Sequence, residues 1–98
     1  MTEFSKDDLT RCRERIDEID LQLLDLLNQR TAIVEDIGRV KQTLQMAIYE
    51  PSREEQVYSN LQAHNRGPLP EDALRRIFER IIDEMRAVQK VKMEAGRK

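Results

Sequence analysis

The sequence predicts an all-α fold of three helices, one long, one short and one medium. Three observations carry this expectation. Charged residues make up 37% of the chain and aromatics 4%, with no Trp and three Gly, a balance that suits solvated helices better than a sheet. An apolar seam recurs at spacings of three and four along the first half. The prolines fall only at Pro51, Pro68 and Pro70, at the edges of two later amphipathic stretches.

The first helix is expected to begin near Lys6. Ser5 and Asp8 have the spacing of a capping box, in which the hydroxyl accepts a backbone N–H and the acid favours the positive helix end. From there Leu9, Cys12, Ile16, Ile19, Leu23, Leu26, Arg30, Ile33, Ile37, Val40 and Leu44 form one seam. No proline interrupts residues 6 to 48, and the glycine in that stretch, Gly38, costs only about 1 kcal/mol relative to Ala. A helix of roughly 37 residues would reach about 55 Å, against a gyration radius of about 13 Å for a compact domain of this length. It therefore needs a partner chain to cover it.

Glu50-Pro51-Ser52 opens the second helix, because proline is preorganised at the first helical position and Glu50 lies at the positive end. Val57, Leu61 and His64 are expected on its buried side. Asn65 to Pro70 breaks the chain. Leu74, Ile77, Phe78, Ile81, Ile82, Met85 and Val88 then mark the third helix, with a flexible tail expected from Met93 to Lys98. A chain of 98 residues buries only about 60 to 65% of its unfolded surface, so a second core is not expected. Residues 1–98 read as a single domain with its core at about 7–92.

Composition narrows the function classes. Seventeen Lys and Arg are mixed with nineteen Asp and Glu for a net charge of −2, so no basic stripe marks a nucleic-acid footprint. Cys12 and His64 are the only residues of their kinds, which excludes an intrachain disulfide and a Cys/His zinc cluster. Each reads as a packing or surface group, and Met46, Met85 and Met93 as core or tail. The N-terminus lacks the basic and apolar regions of a signal peptide, and no apolar run approaches the roughly 18 residues of a membrane span. A cytoplasmic protein with no membrane partner is expected.

Polar residues interrupt the expected core. Arg30 occupies a seam position, where an unpaired guanidinium would cost several kcal/mol, so it needs an anionic partner. Lys41 follows 11 residues later, almost three turns, on nearly the same face about 16 Å along. Gln89 sits beside the apolar stripe of the third helix, and Glu50, Arg53 and Glu54 cluster within one turn. These groups can converge on one pocket. Equally, Arg30 can fix register, Lys41 can complement a helix end and the Glu/Arg cluster can be solvated surface. Periodicity leaves both readings open.

The runs Arg13–Asp17, Leu23–Arg30, Ile37–Lys41 and Pro51–Glu54 carry a resemblance, over about residues 7 to 92, to the all-helical chorismate mutases, the chorismate mutase type II domain. Arg13-Glu14-Arg15-Ile16-Asp17 through Leu23-Leu24-Asp25-Leu26-Leu27-Asn28-Gln29-Arg30 is similar to the family's first-helix signature. Ile37-Gly38-Arg39-Val40-Lys41 is similar to its continuation, and Pro51-Ser52-Arg53-Glu54 to the entry of its second helix. The resemblance implies a cofactor-free, metal-free [3,3] rearrangement of chorismate to prephenate in aromatic amino-acid biosynthesis. It implies that Arg13, Arg30 and Arg53 serve the substrate carboxylates and their surroundings. Lys41 and Gln89 would donate to the breaking ether oxygen, and Glu50 and Glu54 would face the ring hydroxyl. Met85 stands where relatives often carry a serine that assists a carboxylate, and Glu50 where a shorter Asp can occur.

The resemblance further implies an intertwined homodimer, with each site completed by Arg13 of the other chain. Helix geometry agrees: Arg13 and Arg30, 17 residues apart, are about 25 Å apart along one helix and on different faces, so a small ligand cannot touch both from one chain, and an antiparallel partner helix can supply Arg13. Two other classes remain in view, an isochorismate-pyruvate lyase of the same fold and a non-enzymatic helical dimerisation module. The implied chemistry needs no nucleophile and no proton transfer. It needs a flexible dianion held folded and negative charge stabilised as it grows on the ether oxygen.

Overall fold

The computed structural model describes residues 3–95. Helix α1 runs Lys6–Leu44, α2 runs Pro51–His64 and α3 runs Glu71–Ala95, and no strand occurs among the described residues. The all-α, three-helix expectation is met. None of these helices is long and apolar enough to cross a membrane. The chain divides into two compact units, one ending at Ala32 and one beginning at Ile33.

The first unit is α1 from Lys6 to Ala32, entered through the expected capping box. The Ser5 N–H donates to Asp8 Oδ2 at 2.8 Å and the Asp8 N–H donates to Ser5 Oγ at 3.3 Å, satisfying donors that a helix start otherwise leaves open. The Ser5 backbone N–H holds the Asp8 carboxyl below its ordinary value of 3.8. Along this unit Leu9, Ile16, Ile19, Leu23 and Leu26 are all at least half exposed within the chain.

In the second unit α2 packs against α3. The buried side chains are Val34 from α1 and Ile82, Met85 and Met93 from α3. Gly38 is where α1 comes close to α3: a Cβ there would lie 3.5 Å from the Gln89 carbonyl oxygen. The face of α1 buried within this unit is thus Val34, Gly38 and Lys41. The seam residues Ile33, Ile37, Val40 and Leu44, each next to that face, remain exposed. The long seam and the buried face are neighbouring stripes of one helix, a distinction that the period alone does not make.

Two further expectations are corrected. His64 is exposed, its Nδ1 2.7 Å from the Asn60 carbonyl, and the partly buried side of α2 is made by Val57, Tyr58 and Leu61. Helix α3 continues through Met93, which is buried, to Ala95, so Met93–Ala95 are not a frayed tail. The remainder of the expected tail, residues 96–98, lies outside the described residues.

The end of α1 is shaped by its backbone. Gln45 adopts a left-handed conformation with φ of 57°, the Met46 N–H donates to the Lys41 carbonyl at 2.8 Å, and the Gln45 N–H to the Gln42 carbonyl at 3.2 Å. This is a Schellman stop, usually built on glycine because a Cβ is disfavoured at positive φ. Gln45→Gly is expected to stabilise the protein by about 0.5–1 kcal/mol and to raise the Tm by about 2–8 °C. Thermal melting checks this, and a lowered Tm would mean that the Gln45 side chain contributes more than its strain removes.

Candidate active site

Lys41 lies in the last turn of α1 and, among the described residues, is the one charged residue that is buried, at 5% exposure. An ammonium removed from water costs several kcal/mol unless each N–H finds an acceptor. Lys41 Nζ has three acceptors for its three protons. They are the Ile48 carbonyl at 2.8 Å, Glu50 Oε1 at 2.8 Å and Gln89 Oε1 at 3.2 Å. The Schellman stop makes two of these contacts possible, because it reverses the chain after Leu44 and returns Ile48 and Glu50 toward the lysine.

Glu50 is the N-cap of α2, yet its side chain makes no capping hydrogen bond. Its carboxylate goes to Lys41 instead. The Glu54 N–H donates to the Glu50 carbonyl at 3.1 Å, so the first turn closes through the backbone, with Pro51 supplying the preset φ. Gln89 is fixed as firmly. An ammonium can only donate, so the amide oxygen must face Lys41, and the amide NH2 is left as a donor for something else.

One turn from this group a second polar contact joins α2 to α3. Arg86 Nη2 donates to Glu54 Oε2 at 2.7 Å, and Arg86 Nη1 lies 3.3 Å from Asp83 Oδ1. The guanidinium carbon stands 5.0 Å from the centre of the Tyr49 ring. The hydrogen bond with Glu54 raises the Arg86 guanidinium above its ordinary value, against the opposing effect of burial. The Arg86 Nε–H is buried with no hydrogen-bond partner, which typically costs about 1–3 kcal/mol.

The expected site residues are thus distributed unevenly. Lys41, Glu50 and Gln89 are brought together, and Glu54 stands one turn beyond Glu50 with Arg86 as its partner. Met85 is buried at 8% exposure and adds no hydroxyl. Arg53 is exposed and donates to Gln56 Oε1 at 3.4 Å. Arg13, exposed, and Arg30, half-buried, lie on α1 in the first unit. Arg86 was not among the expected residues. A charge three positions before Gln89, beside an apolar stripe, reads as ordinary helix surface.

A separate cleft of about 170 Å³ opens between α2 and α3, lined in part by Tyr58, Leu61, Leu74 and Arg75. Arg75 covers the Tyr58 ring at 4.2 Å, and burial, with the Glu79 charge adding to it, raises the Tyr58 phenol above 10.0. None of the expected site residues lines it.

The arrangement offers a buried cation and an oriented amide side by side, with two carboxylates at the neighbouring helix start. Such a set can hold an oxygen on which negative charge develops and can accept from a hydroxyl. Comparison with known proteins points the same way. Residues 12–90 match the family described as chorismate mutase type II. The chain is 31% identical over 90 residues to a chorismate mutase of Methanocaldococcus jannaschii, covering 88% of each chain. It is 40% identical over 78 residues to a bifunctional chorismate mutase/prephenate dehydratase of Neisseria gonorrhoeae, covering 80% of this chain and 21% of that one. The chain thus spans about a fifth of that relative's length and about a quarter of similar bifunctional relatives. Among solved structures, chorismate mutase (form II) from Thermus thermophilus superposes with a TM-score of 0.82 at 30% identity, covering 84% of this chain and 93% of that one.

Proposed function

The chain belongs to the chorismate mutase type II family, and we propose from this membership that it converts chorismate to prephenate as a single domain serving aromatic amino-acid biosynthesis. The observation that carries the proposal is the pairing of buried Lys41 with the Gln89 amide oxygen. In the reaction a C–O ether bond breaks as a C–C bond forms within one molecule, so no proton or electron pair leaves the substrate. Negative charge grows on the ether oxygen. The Lys41 ammonium and the Gln89 NH2 are donors whose bonds to that oxygen strengthen in the transition state, which is what accelerates the step.

In this reading Arg13, Arg30 and Arg53 bind the two substrate carboxylates and their surroundings through bidentate, charge-assisted bonds that restrict rotation of the dianion. Glu50 and Glu54 accept from the ring hydroxyl, and Met85 offers no hydroxyl where relatives often carry a serine that assists a carboxylate. Lys41 already gives its three protons to protein acceptors, so one must be released for the ether oxygen. Glu50, whose side chain is 40% exposed, is the partner most readily exchanged. No cofactor or metal takes part.

We propose that the active form is a homodimer in which Arg13 crosses to the other chain's site. The exposed Leu9, Ile16, Ile19, Leu23 and Leu26 support this, since burying each apolar side chain is worth about 1.5–3 kcal/mol. Arg13→Ala and Lys41→Ala proteins, each inactive alone, are expected to regain activity when unfolded together and refolded, because one site of the mixed dimer carries both residues. No recovery, with mixed dimers present, would mean that Arg13 acts within its own chain or not at all. A cytoplasmic location, where the exposed thiol of Cys12 stays reduced, goes with this reading.

The test of the reaction is product identification by mass spectrometry from chorismate and, in parallel, from isochorismate. Prephenate from the first and no release of pyruvate from the second supports the mutase. Pyruvate and salicylate from isochorismate, with no prephenate from chorismate, would make the chain a lyase of the same fold.

A further inference from the structure

Two polar rungs cross between α2 and α3. Glu50 meets Lys41, which also binds Gln89, and Glu54 meets Arg86. Glu54 follows Glu50 by four residues and Arg86 precedes Gln89 by three, the spacings that keep side chains on one helix face. The Arg86 rung is therefore the neighbour of the Lys41 rung. Arg86 is also constrained beyond what a surface ion pair requires. It binds Glu54 through one nitrogen, approaches Asp83 with another, stands over the Tyr49 ring and keeps its Nε buried without a partner.

A glutamate at the start of a helix samples several rotamers unless something holds it. Here Glu54 Oε2 is taken at 2.7 Å, which fixes the carboxylate plane and leaves Oε1 to accept. We propose that Arg86 is a positioning residue that holds Glu54 for the substrate's ring hydroxyl and so sets selectivity for the hydroxylated substrate. This rests on the mutase reading above. Arg86 acts through Glu54 and does not itself touch the reacting atoms.

The test compares wild type with Arg86→Met, Arg86→Lys, Glu54→Gln and the Arg86→Met/Glu54→Gln double variant. Each is assayed for kcat and KM on chorismate and on an analogue lacking the ring hydroxyl, with melting curves alongside. Methionine keeps the apolar stem and removes the donors, while lysine keeps the charge without the fork. Arg86→Met is expected to lower kcat/KM for chorismate about tenfold or more and to leave the analogue unaffected within about twofold. Lysine should restore part of the loss, and the double variant should be no worse than Glu54→Gln.

Chorismate kcat/KM within about twofold of wild type in Arg86→Met overturns the proposal. So does an equal loss on both substrates, or a loss that persists undiminished in the Glu54→Gln background. If Arg86→Met does not fold, Arg86→Lys carries the same two-substrate comparison. Folded wild type that turns over no chorismate overturns the parent reading and this proposal with it, whereas active wild type with an indifferent Arg86 overturns this proposal alone.

Discussion

Lys41→Ala is expected to lower kcat by about 10²- to 10³-fold or more while the protein still folds. The magnitude follows from where the charge sits. Lys41 is at 5% exposure, so water cannot replace the lost ammonium at the ether oxygen, and its field acts in a medium that screens it poorly. The variant also loses the group that orients Gln89, because the amide oxygen no longer faces a donor and the amide can turn over. Under the proposed mechanism two transition-state contacts thus weaken together. Stability should also fall, since the Ile48 carbonyl and the Glu50 carboxylate lose their partner. Steady-state kinetics on protein whose melting curve remains cooperative separates the two effects. A kcat within tenfold of wild type would remove Lys41 from the reaction.

The second large effect is expected at Arg30. Arg30→Leu should abolish measurable turnover while leaving thermal stability unchanged or raised, because apolar replacement of a partly desolvated ionic group is often neutral or favourable. Arg30→Lys should also be harmful, since a lysine offers a point charge where the carboxylate needs a planar fork. Opposite signs for activity and stability in one variant are the signature of a residue kept for binding. If Arg30→Leu retained full activity and gained stability, Arg30 would be a register device, as in a dimerisation module. The half-buried position of Arg30 on α1 suits the prediction.

The fold was largely legible because its signals are local. Ser5 and Asp8 form the capping box that their spacing announces, and Pro51 stands at the first position of α2. The uninterrupted seam of α1 led to about 37 residues where the helix has 39. What was not legible depends on tertiary contact. The stop of α1 rests on Gln45 at positive φ, a residue type with no preference for that conformation. The burial of Val34, Gly38 and Lys41 in place of the adjacent seam follows from how closely α1 meets α3 at Gln89. His64 has the spacing of a buried position yet bonds back to its own helix.

The site divides along the same line. Lys41 and Gln89 were recognisable as polar residues set in or beside apolar stripes, and the structure joins them. Glu50 was expected at the positive end of α2, but its carboxylate faces Lys41 rather than the helix backbone. That preference shows a helix start giving up its side-chain cap for a contact in the site. Arg86 was not legible because nothing in a helical pattern separates an arginine that reaches across to another helix from one that reaches into water. Its partner Glu54 is 32 residues away in sequence.

The most direct test of the central claim follows the loss of chorismate absorbance with purified protein, identifies the product, and runs Arg30→Ala in parallel. The predicted result is prephenate, formed by wild type and not by the folded Arg30→Ala protein. A folded wild-type protein that leaves chorismate unchanged would contradict it.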